Sequence, residues 1–378
     1  MRADSDSDSK RAVSALIFQA DRLAQEAKYQ EAYKLYKRAL QRIKVSSPER
    51  LTCLMSLADT ERIMGAFNDA IKHYSEAIAI CQRRCAHPPL GHPTRRRRYE
   101  KEAVDAEIGL ALAKRALGLW KEALVSIAKA KQHYIDTGDK AGCAFSRWAE
   151  AGTLRIKGDI GGCIEGFKQA MELFTRSGDN SGVGYSLCGL GGAHRIEGSY
   201  EASFDYYSRA NRLFSSLNDR FGIAYSYCGM GNALRMKNIY KEGEDYLIKA
   251  LSLYNKIGDI VSSAYTLWSL GILYTVTGRY DMADSFFDKA QQRFTTTSDV
   301  RGTVYVLLGR CQLGCLSNNS ADNAGLLDEA LRYAKQYDFA VERCHCLKVS
   351  AILNGVTTDC YQQIGITSPG EALPLNIP

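Results

Sequence analysis

Residues 178–219 read GDNSGVGYSLCGLGGAHRIEGSYEASFDYYSRANRLFSSLND, and both ends carry the same corner, Gly178-Asp179 and Asn218-Asp219. The corner returns as Gly258-Asp259 and Ser298-Asp299, and Gly138-Asp139 extends it backwards, so the step is 40 residues. Other columns keep that step: Ala130, Ala170, Ala210, Ala250, Ala290 and Ala330; then Tyr134, Phe174, Phe214, Tyr254 and Phe294. A period of this size marks a solenoid of stacked supersecondary units. The chain length of 378 residues therefore counts units of one array instead of separate globular domains.

Within each unit a second column divides the repeat: Gly118, Gly158, Gly198, Asn238 and Gly278. Glycine or asparagine there ends a first helix in the left-handed conformation. The Gly-Asp corner ends the second helix and N-caps the next, the aspartate accepting from its free N–H groups. Residues 13–84 read as two helical hairpins, 104–337 as six, and 338–354 as a capping helix over the last unit. Alternating Ser and Asp make 1–12 a disordered N-terminus, prolines make 355–378 a mobile tail, and 85–103 reads as a basic, proline-containing insert loop.

Composition narrows the class. Apolar residues are 46% and prolines only 7, which suits a helical array. The net charge of +7 is modest, and much of it sits in Arg95 to Arg98, so no continuous basic stripe marks a general nucleic-acid binder. The 12 cysteines sit at helical positions among small residues and read as reduced thiols of a cytoplasmic protein. No secretory h-region and no apolar run long enough to span a membrane is present.

Gly278, Tyr280, Ala283, Phe287 and Ala290, like Gly65, Phe67, Ala70, Tyr74 and Ala77, follow a pattern that resembles the tetratricopeptide repeat. The 40-residue step and Gly-Asp junction resemble the long-helix form found in the Pins/LGN class of polarity scaffolds. The resemblance implies an all-α fold, a right-handed superhelical solenoid of about eight hairpins plus a C-terminal capping helix, whose first helices line a concave groove. Cys163 and Gly243 depart from the usual alanine, and Gly152 and Gly192 fall inside helices, each interior glycine costing about 1 kcal/mol relative to alanine.

On the groove-facing helices one residue type recurs three positions before the internal turn: Arg62, Arg115, Arg155, Arg195 and Arg235. An aromatic column runs Phe145, Tyr185, Tyr225, Tyr265 and Tyr305, with Trp148, Trp268 and Asn232 on the same faces. Packed helices lie about 8–10 Å apart and an extended chain advances about 3.3–3.6 Å per residue, so carboxylates about three residues apart match successive arginines. Bidentate pairing would fix register. The same arginines have a second use, at helix C-termini beside Glu122, Glu201 or Glu242.

Cys81, Cys85, His87 and His92 form a cluster that could supply four tetrahedral ligands, although its spacing matches no familiar finger. No phosphate loop, nucleophile elbow or His-Glu metal motif is present, so neither an enzyme nor a cofactor is expected. The expected function is a cytoplasmic protein-protein interaction scaffold that binds an extended, acidic peptide segment. The alternatives are an RNA- or phosphate-binding repeat using the arginines, and a self-associating structural subunit.

Overall fold

The corner residues set the helix boundaries. Asp139, Asp159, Asp179, Asp219, Asp259, Asp299 and Asp322 each accept, through a side-chain oxygen, the backbone N–H three residues on, at 2.8–3.0 Å. Ahead of the first six of them the chain turns left-handed. Gly178 does so freely at φ 74°, and Asn218 and Ser298 accept the same corner at φ 54° and 55°.

The computed structural model describes residues 2–44, 47–86, 93–317 and 322–378, with the side chains of all but 2–10 and 93–95. Its helices are α1 (Arg2–Gln25), α2 (Tyr29–Arg42), α3 (Glu49–Ile63), α4 (Phe67–Ala86), α5 (Pro93–Ala116), α6 (Trp120–Thr137), α7 (Lys140–Lys157), α8 (Ile160–Ser177) and α9 (Asn180–Glu197). They continue as α10 (Tyr200–Leu217), α11 (Arg220–Met236), α12 (Tyr240–Ile257), α13 (Ile260–Val276), α14 (Tyr280–Thr297), α15 (Val300–Leu316), α16 (Asn323–Gln336), α17 (Ala340–Leu353) and α18 (Cys360–Gln363). Helices α1 to α16 pair into hairpins, and α17 packs over the last of them. Among the described residues none of these helices is long and apolar enough to cross a membrane.

The repeating columns form the core. Ala130, Ala170, Ala210, Ala250, Ala290 and Ala330 are buried, and so are the rings of Tyr134, Phe174, Phe214, Tyr254 and Phe294. Each ring lies over the first turn of the following helix. A Cβ added at Gly142, Gly182, Gly222 or Gly302 would meet the ring at 2.2–2.4 Å, so the corner glycines make room for the aromatics. Burying such a side chain contributes about 1.5–3 kcal/mol per unit.

Gly231 and Gly243 show why a small residue is needed where α11 meets α12. A Cβ on Gly231 would lie 2.8 Å from the Gly243 carbonyl oxygen and 3.1 Å from the Leu247 nitrogen, both backbone atoms that cannot swing away. Gly231→Ala should therefore destabilise by about 1–3 kcal/mol through overpacking, which outweighs the gain of about 1 kcal/mol in helix propensity. Gly161→Ala, with nothing near its Cβ, should be neutral or stabilising. Urea midpoints of the two variants check this, and equal midpoints would refute the backbone contact.

Three expectations from sequence change. The N-terminus, expected disordered over 1–12, is helical from Arg2. The insert expected over 85–103 is largely helix: Pro93 takes the first position of α5, where its missing N–H costs nothing, and Arg96 and Arg98 pair with Glu100 and Glu102 one turn on, at 2.9 and 2.8 Å. Residues 87–92 lie outside the described residues. The segment 355–378, expected as a mobile tail, instead folds back onto the array, with Cys360, Tyr361, Ile366, Leu375 and Ile377 buried. Its apolar side chains provide enough buried surface to hold it, which proline content alone did not reveal.

The array winds back onto itself. Gly65, at the turn of the second hairpin, faces Val261 and Thr297 of the seventh. Gly118 of the third faces Tyr337 and Phe339 beyond the eighth, and the Trp120 indole N–H donates to the Tyr337 carbonyl at 2.9 Å. Gly158 of the fourth faces Ala340 and Val341 of α17. Gly198 of the fifth faces Thr367, whose N–H donates to the Glu197 carbonyl at 3.1 Å.

Candidate ligand groove

First helices of successive hairpins touch one another along the array, as α3 with α5, α5 with α7, α7 with α9 and α9 with α11. No two successive second helices pack comparably among the described residues, so the first helices lie on the inside of the curve. The arginine column sits at their C-terminal ends. Two of the guanidiniums lean over the next inner helix: a Cβ added at Gly152 would lie 2.7 Å from Arg115 Nη1, and one at Gly192 would lie 2.7 Å from Arg155 Nη1. The two interior glycines that looked like a cost to helix stability are the floor beneath the arginines.

The partners of these arginines differ along the groove. Arg62 lies 3.6 Å from Asp59 and donates to the Tyr74 hydroxyl at 3.4 Å. Arg115 donates weakly to the Ala149 carbonyl at 3.4 Å and lies 6.0 Å from the Trp148 ring centre. Arg155 and Arg195 have a buried Nε with no acceptor. Arg235 is fully buried, bonded to Asn232 Oδ1 through Nε and Nη2 at 3.3 and 3.1 Å, with its guanidinium 5.8 Å from the Trp268 ring centre.

No carboxylate within ion-pair distance meets Arg115, Arg155, Arg195 or Arg235 among the described residues. Glu122 pairs with Lys114 at 2.7 Å and Glu201 with Lys237 at 3.5 Å, while Glu242 is exposed. Burial, with Arg155 and Arg62 nearby, pushes the Arg115 guanidinium down to about 10. Burial and the Arg195 charge push Arg235 down to about 9. Both groups stay charged near neutral pH, so the groove holds a concentration of positive charge that the protein does not itself neutralise.

The aromatic column divides. The Tyr185 hydroxyl donates to Asp219 at 2.8 Å, and its ring packs on Phe214. Tyr265 packs on Phe294. Tyr305 is buried and donates to Glu342 at 2.9 Å, and the Trp268 indole N–H donates to the Tyr305 carbonyl at 2.9 Å. These four are committed to internal contacts. Phe145 is 39% exposed and stacks on Trp148, whose buried indole nitrogen has no acceptor, and Tyr225 stands against Phe221. The unengaged aromatic surface therefore lies near Arg115 and Arg155.

Sequence columns missed several residues at this site. Arg301 of α15 sits close enough to Arg115 and Arg155 to repel them, but it is paired with the buried Glu342 at 2.6 Å. Neither Arg301 nor Glu342 falls on the arginine column, so the period carried no signal for them. The tail also reaches the groove: the Asn376 amide and the Ile377 carbonyl take Arg235, and the Leu375 N–H donates to Gln312 at 2.6 Å. Of the cysteine–histidine cluster, Cys81 is buried and Cys85 half-buried, while His87 and His92 lie outside the described residues. No group of three metal-ligating side chains is placed to hold an ion among the described residues.

Residues 12–83 match the family model described as Tetratricopeptide repeat. No curated protein matches the sequence. Among solved structures, the Rap conjugation gene regulator of plasmid pLS20 in complex with the Phr* peptide is similar at 13% identity and a TM-score of 0.59, over 86% of this chain and 96% of that one. NprR in complex with its cognate peptide NprX is similar at 13% identity and a TM-score of 0.57, over 91% and 98%. A Rap protein complexed with Competence and Sporulation Factor gives 14% and 0.56, over 94% and 99%. At these identities the likeness is one of fold.

Proposed function

We propose that this helical array, whose residues 12–83 match the tetratricopeptide repeat model, is a non-enzymatic scaffold that binds an extended, acidic segment of a partner protein in its inner groove. One observation carries the reading: Arg155 and Arg195 are half-buried cations whose buried Nε has no acceptor among the described residues. Leaving such donors unsatisfied costs about 1–3 kcal/mol each, and more when charged, a cost that a carboxylate from outside would remove. Arg115 stands beside them with one weak bond to a carbonyl. The open aromatic face of Phe145 and Trp148 would pack on apolar side chains between the carboxylates. That similar solved structures are described as holding peptides is in keeping with this use of the fold.

Arg155→Gln and Arg195→Gln should each weaken binding of a peptide carrying aspartates three residues apart by about 10- to 100-fold, the size expected for a charge-assisted contact. Thermal stability should hold or rise, because each change relieves repulsion. Fluorescence anisotropy with the labelled peptide measures the first and circular dichroism the second. Unchanged affinity in both variants would remove the groove reading. A stronger, equally arginine-dependent affinity for single-stranded RNA would reassign the groove to nucleic acid.

A further inference from the structure

Residues 371–377 lie against the groove as an extended ligand would. In chain order, Glu371 pairs with Lys348 of α17, the Leu375 N–H donates to Gln312 Oε1 of α15 at 2.6 Å, and the Ile377 carbonyl accepts from Arg235 Nη2 of α11 at 2.8 Å. Leu375 and Ile377 are buried in the hydrophobic core of the last units. Asn376 between them is held at both amide atoms: its Oδ1 accepts from Arg235 Nη1, and its Nδ2 donates to the Arg235 carbonyl at 2.8 Å. Alternate side chains go to the core and to polar partners, and main-chain groups bond to groove side chains. This is how extended peptides are recognised.

The direction is informative. The tail passes α17, α15 and then α11, running toward the start of the array. The next guanidinium beyond Arg235 is Arg195, near enough for its charge to act on Arg235, and Arg155 follows on the next inner helix. These are the two whose buried Nε has no acceptor among the described residues. The groove thus has an end filled by the chain itself and an adjoining cationic end that no carboxylate among the described residues pairs with.

We propose that the tail occupies one end of the partner's own track, so that the partner segment carries an apolar–asparagine–apolar core followed on its C-terminal side by carboxylates, and binds by displacing residues 371–377. The inference rests on the acidic-segment reading above and adds to it a sequence, a direction and a competitor. An asparagine suits the core because one of its amide atoms accepts from the Arg235 side chain while the other donates to the Arg235 carbonyl.

Three labelled peptides test it on the full chain: a copy of 371–377 followed by two aspartates three residues apart, the same aspartate block placed before that copy, and the aspartate block alone in a neutral linker. The first should bind at least tenfold tighter than the other two. It should bind at least tenfold tighter again to a chain carrying Leu375→Asp and Ile377→Asp, in which the tail no longer competes. Should that variant fail to fold, limited proteolysis of the unaltered chain serves instead: saturating first peptide should make 355–378 cleavable, and continued protection overturns the displacement. Equal binding of the first two peptides overturns the direction. Arginine-dependent binding of all three at one affinity overturns the core sequence while leaving the acidic-segment reading in place. If none of the three binds, both are overturned.

Discussion

Glu342→Ala is expected to cost about 3–5 kcal/mol, the usual consequence of removing one partner from a buried ion pair. Glu342 is 1% exposed, its Oε1 lies 2.6 Å from Arg301 Nε, and the same oxygen accepts from the Tyr305 hydroxyl at 2.9 Å. Burial favours the neutral acid, but the Arg301 charge, aided by His345 and the Tyr305 bond, prevails and holds the carboxyl below its usual range. Alanine would leave Arg301 inside with only the Tyr305 hydroxyl, at 3.2 Å, and would add its charge to that of Arg115 and Arg155. Chemical denaturation reads the loss. A double change, Arg301→Met with Glu342→Met, should recover most of it, because the pair's own net contribution is small once both charges are gone. A loss below about 1 kcal/mol for the single change would show that the pair is solvated.

The second large effect is an early loss of stability in acid, beginning at His345. This side chain is fully buried, its Nδ1 bonds the Tyr361 hydroxyl at 2.6 Å, and its Nε2 has no partner. Burial lowers its affinity for a proton to about 4. The Glu342 carboxylate, which favours the charged ring, opposes this in part, and Arg301 reinforces it. Between an unfolded value near 6.5 and a folded value near 4, the unfolded chain binds the proton and the folded one does not. Stability therefore falls with falling pH across that window, by about 3 kcal/mol when the window has been crossed. Glu342, whose folded value is depressed, adds its own loss below about 4.5, as protonation removes the partner of Arg301. His345→Gln should flatten the upper part of this profile and leave the lower part. Urea midpoints at half-unit pH steps from 7 to 4 measure it, and an unchanged slope in the variant would refute the assignment.

The features legible in sequence are those that recur. Ala170 and Phe174 report packing because every unit must solve the same contact, and Gly178-Asp179 reports a corner because every corner needs a left-handed residue and a cap. The arginine column was legible for the same reason. Its surroundings were not: whether Arg155 meets Glu201 or nothing depends on where the next helix places its side chains, and Glu201 turned out to face Lys237. Arg301, Glu342 and His345 form a contact made once, at the end of the array, so no period announces them. The tail was misread because its prolines argue against helix, and a segment can be ordered without being helical when groove side chains bond its backbone, as Gln312 and Arg235 do.

The contact of Gly118 with Tyr337, and those of Gly65 and Gly158 with partners five hairpins on, also limits how such a protein can change. An open array can gain or lose a unit at little cost, since each unit meets only its neighbours. Here a deletion or duplication of 40 residues would shift every one of these cross-turn partners by a whole unit, setting Trp120 against something other than the Tyr337 carbonyl. Closure thus counts the hairpins, and lineages of this chain should vary in their outer loops and columns while keeping the number of units constant.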